Sequence, residues 1–232
     1  MLRIALIGGG GVGKSTLAYA FSSYCRKQGV SVAIANLDPG CKHIKYTPAF
    51  DVRKYYSLDK IMRSAELGPN GALKRIHNSL LSNKKAMKEL GAVESDFVFI
   101  DTAGSLELFL TEGGADFLEQ SADLVLFVCD NEAAQSEDDM VLLKAINAIQ
   151  RLKYCLPTLT VINKGDLLTR RKQKNGQTVL GGMAAVNAHL RALLSEVGKR
   201  ERLLVVSAVE RRGFGELFDA INESKCECGD LE

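Results

Sequence analysis

LRIALIGGGGVGKSTL, residues 2–17, is the stretch whose reading decides the fold. An apolar run (Leu2, Ile4, Ala5, Leu6, Ile7) breaks into four glycines, followed by Val12, Gly13, Lys14, Ser15 and Thr16. The spacing Gly8-x-x-x-x-Gly13-Lys14-Ser15 is the phosphate-loop pattern in the context it requires, a strand before it and a helix after it. The first N–H groups of a helix are unpaired and carry partial positive charge, so they attract phosphate oxygens. Glycines allow the backbone to approach those oxygens with no side chain between. Gly10, Gly11, Val12, Gly13, Lys14, Ser15 and Thr16 are therefore expected to cradle phosphate. Lys14 can reach the terminal phosphates, and the Ser15 hydroxyl can bind a magnesium ion. A merely flexible glycine-rich turn is the competing reading, and a strand, loop and helix in register argue against it.

Around this stretch the composition is that of one sizeable α/β domain, 232 residues long, able to bury a core without disulfides or a structural metal. Thirty basic and 28 acidic residues leave a net charge of +2, which gives no electrostatic reason to expect nucleic-acid or membrane-surface binding. The N-terminal apolar run is only a strand long, too short for a signal peptide or a membrane span, so a soluble cytoplasmic protein is expected. Of six cysteines, Cys25, Cys41, Cys129 and Cys155 are scattered among apolar or loop residues, as small hydrophobes or inert thiols are. Cys226-Glu227-Cys228 stands near the C-terminus. Two thiols cannot complete a tetrahedral zinc site, although two copies could supply four; an ordinary tail and a redox-sensitive pair are the other readings. His43, His77 and His189 are isolated and show no ligand spacing.

Along the chain, Leu17, Phe21, Tyr24 and Cys25 form one apolar helical face, which Gly29 ends. Ser31 to Leu37 reads as a second buried strand, running into Asp38-Pro39-Gly40, and an acidic residue past a strand's carboxyl end lies on the edge where open α/β sheets bind ligands. Residues 41–92 lack a clear strand and are helix-prone, with helices expected over 57–65 and 72–90. Between them Leu67-Gly68-Pro69-Asn70-Gly71 reads by itself as a turn.

Asp96 to Ile100 is the third strand and ends in Asp101-Thr102-Ala103-Gly104. There a carboxylate can hold magnesium through water, and the Gly104 N–H can face a γ-phosphate. Leu124 to Asp130 is a fourth strand, followed by a helix over 132–152 with Leu142, Ile146 and Ile149 as its stripe. Leu159 to Ile162 leads into Asn163-Lys164-Gly165-Asp166. A carboxylate at Asp166 can accept two hydrogen bonds, from guanine's ring N–H and exocyclic amine, donors that adenine does not present there. Asn163 and Lys164 would position the loop and cover the base. Residues 170–177 form a basic loop, 182–197 a helix and 203–206 a sixth strand, after which Ser207 and Ala208 can close over the base from the other side.

The three signatures stand in the order and spacing of a GTPase. Asn36-Leu37-Asp38-Pro39-Gly40, then Tyr46 and Phe50-Asp51-Val52-Arg53, together with Gly68-Pro69-Asn70, resemble the GPN-loop GTPases, and the Cys226-Glu227-Cys228 tail is similar to that of archaeal members. The resemblance runs over nearly the whole chain. It implies a P-loop NTPase of the α/β class, with a mostly parallel central sheet flanked by helices. It also makes residues 41–92 a helical insertion carrying the Gly-Pro-Asn loop within a single domain, 1–232. It further implies a magnesium-dependent homodimer that takes GTP to GDP, with Asn70 reaching the γ-phosphate in the partner subunit's site. Asp38 would orient the attacking water, Ser15 and Asp101 would hold magnesium, and Glu107 matches an acidic position near that water. Lys14, Asp38, Asn70 and Glu107 would thus be the catalytic set. Phosphoryl transfer is largely positioning and charge stabilisation, so these roles suffice without a covalent intermediate. The resemblance also links the cycle to assembly of a client complex, such as RNA polymerase in eukaryotic relatives.

Two departures stand out. Members usually carry proline and glutamine where this chain has Ala103 and Ser105, and loss of a water-orienting amide would slow hydrolysis by ~10²-fold. Gly9 stands where MinD-like ATPases place an additional lysine, which argues against that branch. Two rivals are a GTP-dependent interaction module with little hydrolysis, and a MinD-like ATPase of metal insertion using the tail cysteines.

Overall fold

The computed structural model describes residues 1–110, 114–168, 181–197 and 202–229. The basic loop expected over 170–177 lies outside the described residues. So do residues 230–232 and the side chains of Cys226 and Cys228, whose backbone falls in the last helix.

At the centre lies β1 (Leu2–Ile7), whose residues alternate between two faces, Ile4 and Leu6 on one and Ala5 and Ile7 on the other, all of them buried. A strand covered on both sides reads as a continuous apolar run, and the parallel sheet is the architecture that covers both faces. β4 (Phe97–Thr102) and β5 (Leu124–Cys129) flank β1, and both are buried throughout. β2 (Val32–Leu37) lies beyond β4, while β6 (Thr158–Ile162) and β7 (Leu203–Val205) extend the other edge. With β3 (Phe50–Asp51) at the margin the order is β3-β2-β4-β1-β5-β6-β7, every pair parallel. β1 and β4 register with Leu6 opposite Asp101, which places the phosphate loop beside the end of β4.

On one face α1 (Lys14–Lys27) and α9 (Phe214–Gly229) pack through Leu17, Phe21, Cys25, Phe214, Leu217 and Ile221. Phe21 meets Phe99 and Phe214 with ring centroids at 5.7 and 5.3 Å. Each such fully buried side chain contributes roughly 1.5–3 kcal/mol, so the helix that begins at Lys14 is firmly seated on the sheet. α1 ends as expected, with Gln28 as its cap and Gly29 at φ 82. The opposite face is covered by α3 (Pro69–Ser82), α4 (Lys84–Gly91), α5 (Leu106–Leu110), α6 (Gly114–Ser121) and α7 (Glu137–Tyr154), around Ile76, Leu80, Leu90, Phe109 and Phe117. α2 (Leu58–Ala65) lies against α3, and α8 (Gly181–Val197) against α7. Among the described residues no helix is long and apolar enough to cross a membrane. Cys25 and Cys129 are buried, and burial pushes both thiols up to about 12, as the reading of inert thiols requires.

Four expectations change. The segment 41–92 does contain a strand: β3 is two residues long, too short to produce alternation, and is placed by Asn36 bonding Asp51. The helix expected over 72–90 is two helices, broken at Asn83, whose side chain accepts from Ala86 N–H (3.1 Å) and caps α4. Gly68-Pro69-Asn70 is a helix start, not a free turn: Pro69 sits at the first position of α3, where its missing N–H costs nothing. Finally, α7 begins five residues later than expected, at a capping box between Ser136 and Asp139, and its buried face is Leu143, Asn147, Gln150 and Tyr154. Leu142 and Ile149 face outward; Ile146 alone of the expected stripe packs on the core. Asn147 bonds Thr160 on β6 and Tyr154 donates to Phe109 carbonyl (2.7 Å), so polar groups with fixed partners set the helix's rotation.

Candidate active site

The phosphate loop, Asp38, Asp101–Gly104, Asn163–Asp166 and Ser207–Ala208 converge on the carboxyl edge of the sheet, where β1, β2, β4, β6 and β7 end. The loop after β1 turns into α1 at Gly13, which holds φ 92; a Cβ there would lie 2.5 Å from the Asn163 amide nitrogen. Glycine at this position is thus required twice, by backbone angle and by its neighbour. Lys14 is only 6% exposed and donates to the carbonyls of Gly8 (3.0 Å) and Gly9 (2.9 Å). Burial pushes its ammonium below the ordinary lysine range, while the carboxylates of Asp101 and Asp38 pull the other way. A cation folded over a glycine loop at a helix N-terminus can meet a polyphosphate. Gly104 backs directly onto this loop: a Cβ there would lie 2.7 Å from Gly10 Cα, too close to fit.

Asp101, at the end of β4, is fully buried. The Tyr46 hydroxyl donates to its Oδ2 (2.6 Å), whereas Oδ1 is buried with no hydrogen-bond partner. Burial raises the pKa of this carboxyl, opposed by Tyr46, by the Ser15 hydroxyl and by Lys14. A buried carboxylate oxygen left bare beside a serine hydroxyl is a hard-oxygen donor set, and it fits a magnesium ion. Asp38, half-buried, follows β2. Its N–H is held by Asn36 Oδ1 (3.1 Å) and its Oδ1 accepts Gly40 N–H (2.8 Å). Asn36 also donates to Asp51 (3.0 Å), and Arg53 clasps Asp51 (2.7 Å) and reaches the Cys41 carbonyl (2.9 Å). Burial alone would raise the Asp51 carboxyl; the Arg53 hydrogen bonds hold it below its usual range.

At the other end of the site Asn163 is buried. It donates to Val12 carbonyl (2.9 Å) and accepts from Ala208 N–H (3.1 Å), tying the phosphate loop to the segment after β7. Ser207 Oγ donates to Asp166 Oδ1 (2.5 Å) and accepts Glu210 N–H (3.1 Å). That donation holds the Asp166 carboxyl below its usual range. Lys164 adopts φ 59 and its ammonium lies 3.4 Å from Asp130 Oδ2. An oriented carboxylate beside an open edge can read a pair of N–H donors.

Asn163→Ala is expected to destabilise the protein by about 1–3 kcal/mol, since Val12 carbonyl and Ala208 N–H lose their partner together. The shift, roughly 2–4 °C per kcal/mol for a chain of this size, is read by thermal denaturation of the nucleotide-free protein. An unchanged midpoint would mean that the bridge carries no load.

The structure therefore gathers Lys14, Ser15, Asp38 and Asp101 at one end and Asn163, Lys164, Asp166, Ser207 and Ala208 at the other. Glu107 is exposed on the first turn of α5, and Asn70 is exposed at the start of α3. Ala103 and Ser105 are buried. Sequence reasoning assigns no role to Asn36, Tyr46, Asp51, Arg53 and Asp130. The Asp51-x-Arg53 spacing and the aspartate just after β5 were visible signals, while the reach of Tyr46 across 55 positions had none.

A family model described as "Conserved hypothetical ATP binding protein" matches residues 6–227. The chain is similar to "GPN-loop GTPase PAB0955" of Pyrococcus abyssi, 30% identical over 247 residues that cover 98% of this chain and 99% of that one. The crystal structure of PAB0955, described as a GTPase in apo form, matches with a TM-score of 0.82 at 28% identity, over 97% of this chain and 98% of the other. "GPN-loop GTPase 2" of Schizosaccharomyces pombe is 31% identical over 176 residues, 70% of this chain and 54% of its own length. "GPN-loop GTPase 3" of Saccharomyces cerevisiae is 35% identical over 107 residues, 46% of this chain and 39% of its own length.

Proposed function

Since the chain belongs to the GPN-loop GTPase family and is a GTPase, we propose that it works as a magnesium-dependent homodimeric switch whose cycle of GTP binding and hydrolysis the two ends of this site divide between them. The observation that carries the reading is Asp166, oriented by Ser207 in a loop that Asn163 fastens to the phosphate loop. A carboxylate held there matches guanine's two N–H donors and leaves adenine unmatched. This favours GTP although the family model's description names ATP. Competition between GTP and ATP for a fluorescent nucleotide tests it, and equal affinities would overturn the guanine assignment.

In this reading the N–H groups of residues 10–16 and Gly104 surround the phosphates, and Lys14 leaves the Gly8 and Gly9 carbonyls to neutralise charge that builds on the β–γ bridge. Ser15 and Asp101 would hold magnesium, which when bound screens the phosphate oxygens and orients them. Asp38, whose carboxylate is pinned by Gly40 N–H, and Glu107 would order the attacking water. Buried Ala103 and Ser105 leave no amide side chain at that point of the chain, so more of the positioning falls to Asp38 and to the second subunit.

Asn70 is assigned to that second subunit. What supports this is its exposure at the start of α3, on a Gly-Pro step that fixes the helix entry. Asn70→Ala is expected to lower turnover about 10²-fold, the cost of one lost γ-phosphate donor, with GDP affinity unchanged. A variant that lost GDP binding too would contradict the assignment. The further role, assisting assembly of a larger complex such as RNA polymerase, is taken from the family resemblance.

A further inference from the structure

We propose that Tyr46 is a positioning residue for the metal site: by taking one oxygen of Asp101 it presents the other toward Ser15, where magnesium would be held. The inference rests on the magnesium reading above.

A carboxylate has two chemically equal oxygens, and nothing in the covalent structure of Asp101 decides which one turns toward the phosphate loop. Here the two are made unequal. Oδ2 is occupied by the Tyr46 hydroxyl at 2.6 Å, while Oδ1 is buried and bare. A polar atom left so is costly in an interior unless something is meant to meet it.

Tyr46 is itself well anchored. Its segment leaves β2 through Cys41, whose carbonyl is held by Arg53 (2.9 Å), and returns through Ala49, whose N–H meets the Ile34 carbonyl (2.8 Å) just before β3. Between those two tethers the ring packs against the core on the α1 side of the sheet. A phenol is protonated, and so a hydrogen-bond donor, at neutral pH. Neither the phosphate cradle nor the base end uses this hydroxyl.

Hydrogen bonds to metal-ligating carboxylates fix their orientation, and loss of one typically weakens metal binding about 10–100-fold. The test is release of a fluorescent GDP analogue from the full-length protein as magnesium is titrated, for wild type, Tyr46→Phe and Asp101→Asn. Phenylalanine keeps the ring and removes only the donor. Tyr46→Phe should need about tenfold more magnesium for half of the effect, with magnesium-free GDP affinity and the thermal midpoint unchanged. Asp101→Asn should remove the magnesium effect. A Tyr46→Phe titration superimposing on wild type would overturn the inference. So would an equal loss of affinity with and without magnesium, which is the mark of a merely structural role. A wild type insensitive to magnesium would instead remove the metal reading itself, and this inference with it.

Discussion

Lys14→Ala is expected to abolish measurable turnover, a fall of about 10³-fold or more in GTP hydrolysis, while the protein stays folded. The size follows from what the ammonium can do in a site from which water is largely excluded. It is 6% exposed, and a charge-assisted hydrogen bond to a developing phosphate charge is worth far more there than in water. The fold persists because Lys14 contributes only two bonds, both to carbonyls of its own loop. Single-turnover phosphate release, beside circular dichroism of the empty protein, checks both halves. Turnover within tenfold of wild type would remove Lys14 from the catalytic set.

The second large effect is one of specificity. Asp166→Asn should weaken GTP binding about 10²-fold, because two hydrogen bonds to a charged acceptor become one neutral bond and one N–H facing N–H clash. The same variant should bind xanthosine triphosphate better than GTP, since xanthine carries a carbonyl where guanine carries its amine. ATP affinity should be unmoved, having had no partner in Asp166 to lose. Competition of the three nucleotides against a fluorescent analogue reads the reversal, and a variant that still prefers GTP would show that the base is recognised elsewhere. Ser207 makes the swap structurally mild: its hydroxyl can donate to Asn Oδ1 as it does to the carboxylate.

Much of this site is legible because it is local. Gly8 to Thr16, Asp101 to Gly104 and Asn163 to Asp166 are each short runs whose spacing is dictated by a strand end and a loop, and all three fall on one edge of the sheet. What escaped was long-range or polar. Tyr46 reaches Asp101 across 55 positions, and Asn36, Asp51 and Arg53 form a network that hydrophobic periodicity does not register. In α7 the same blindness misassigned the inward face: Leu142 and Ile149 looked like the stripe, yet Asn147 and Gln150 are buried beside Leu143 and Tyr154. Asn147 is held there by Thr160, a partner that a hydropathy pattern ranks last. Asn83 and Pro69 mattered at helix ends, where one capping or entry residue outweighs a longer run of helix formers.

Asn163 occupies the space that a side chain at position 13 would need, and its amide spans from Val12 to Ala208. For anyone building chimeras, the two loops are therefore one cartridge. A phosphate loop transplanted without its matching asparagine would lose the brace that keeps the base end in place. An asparagine transplanted without a bare position 13 would collide with its new host. Re-engineering nucleotide choice in this scaffold means exchanging the pair together, or leaving both alone and working at Asp166.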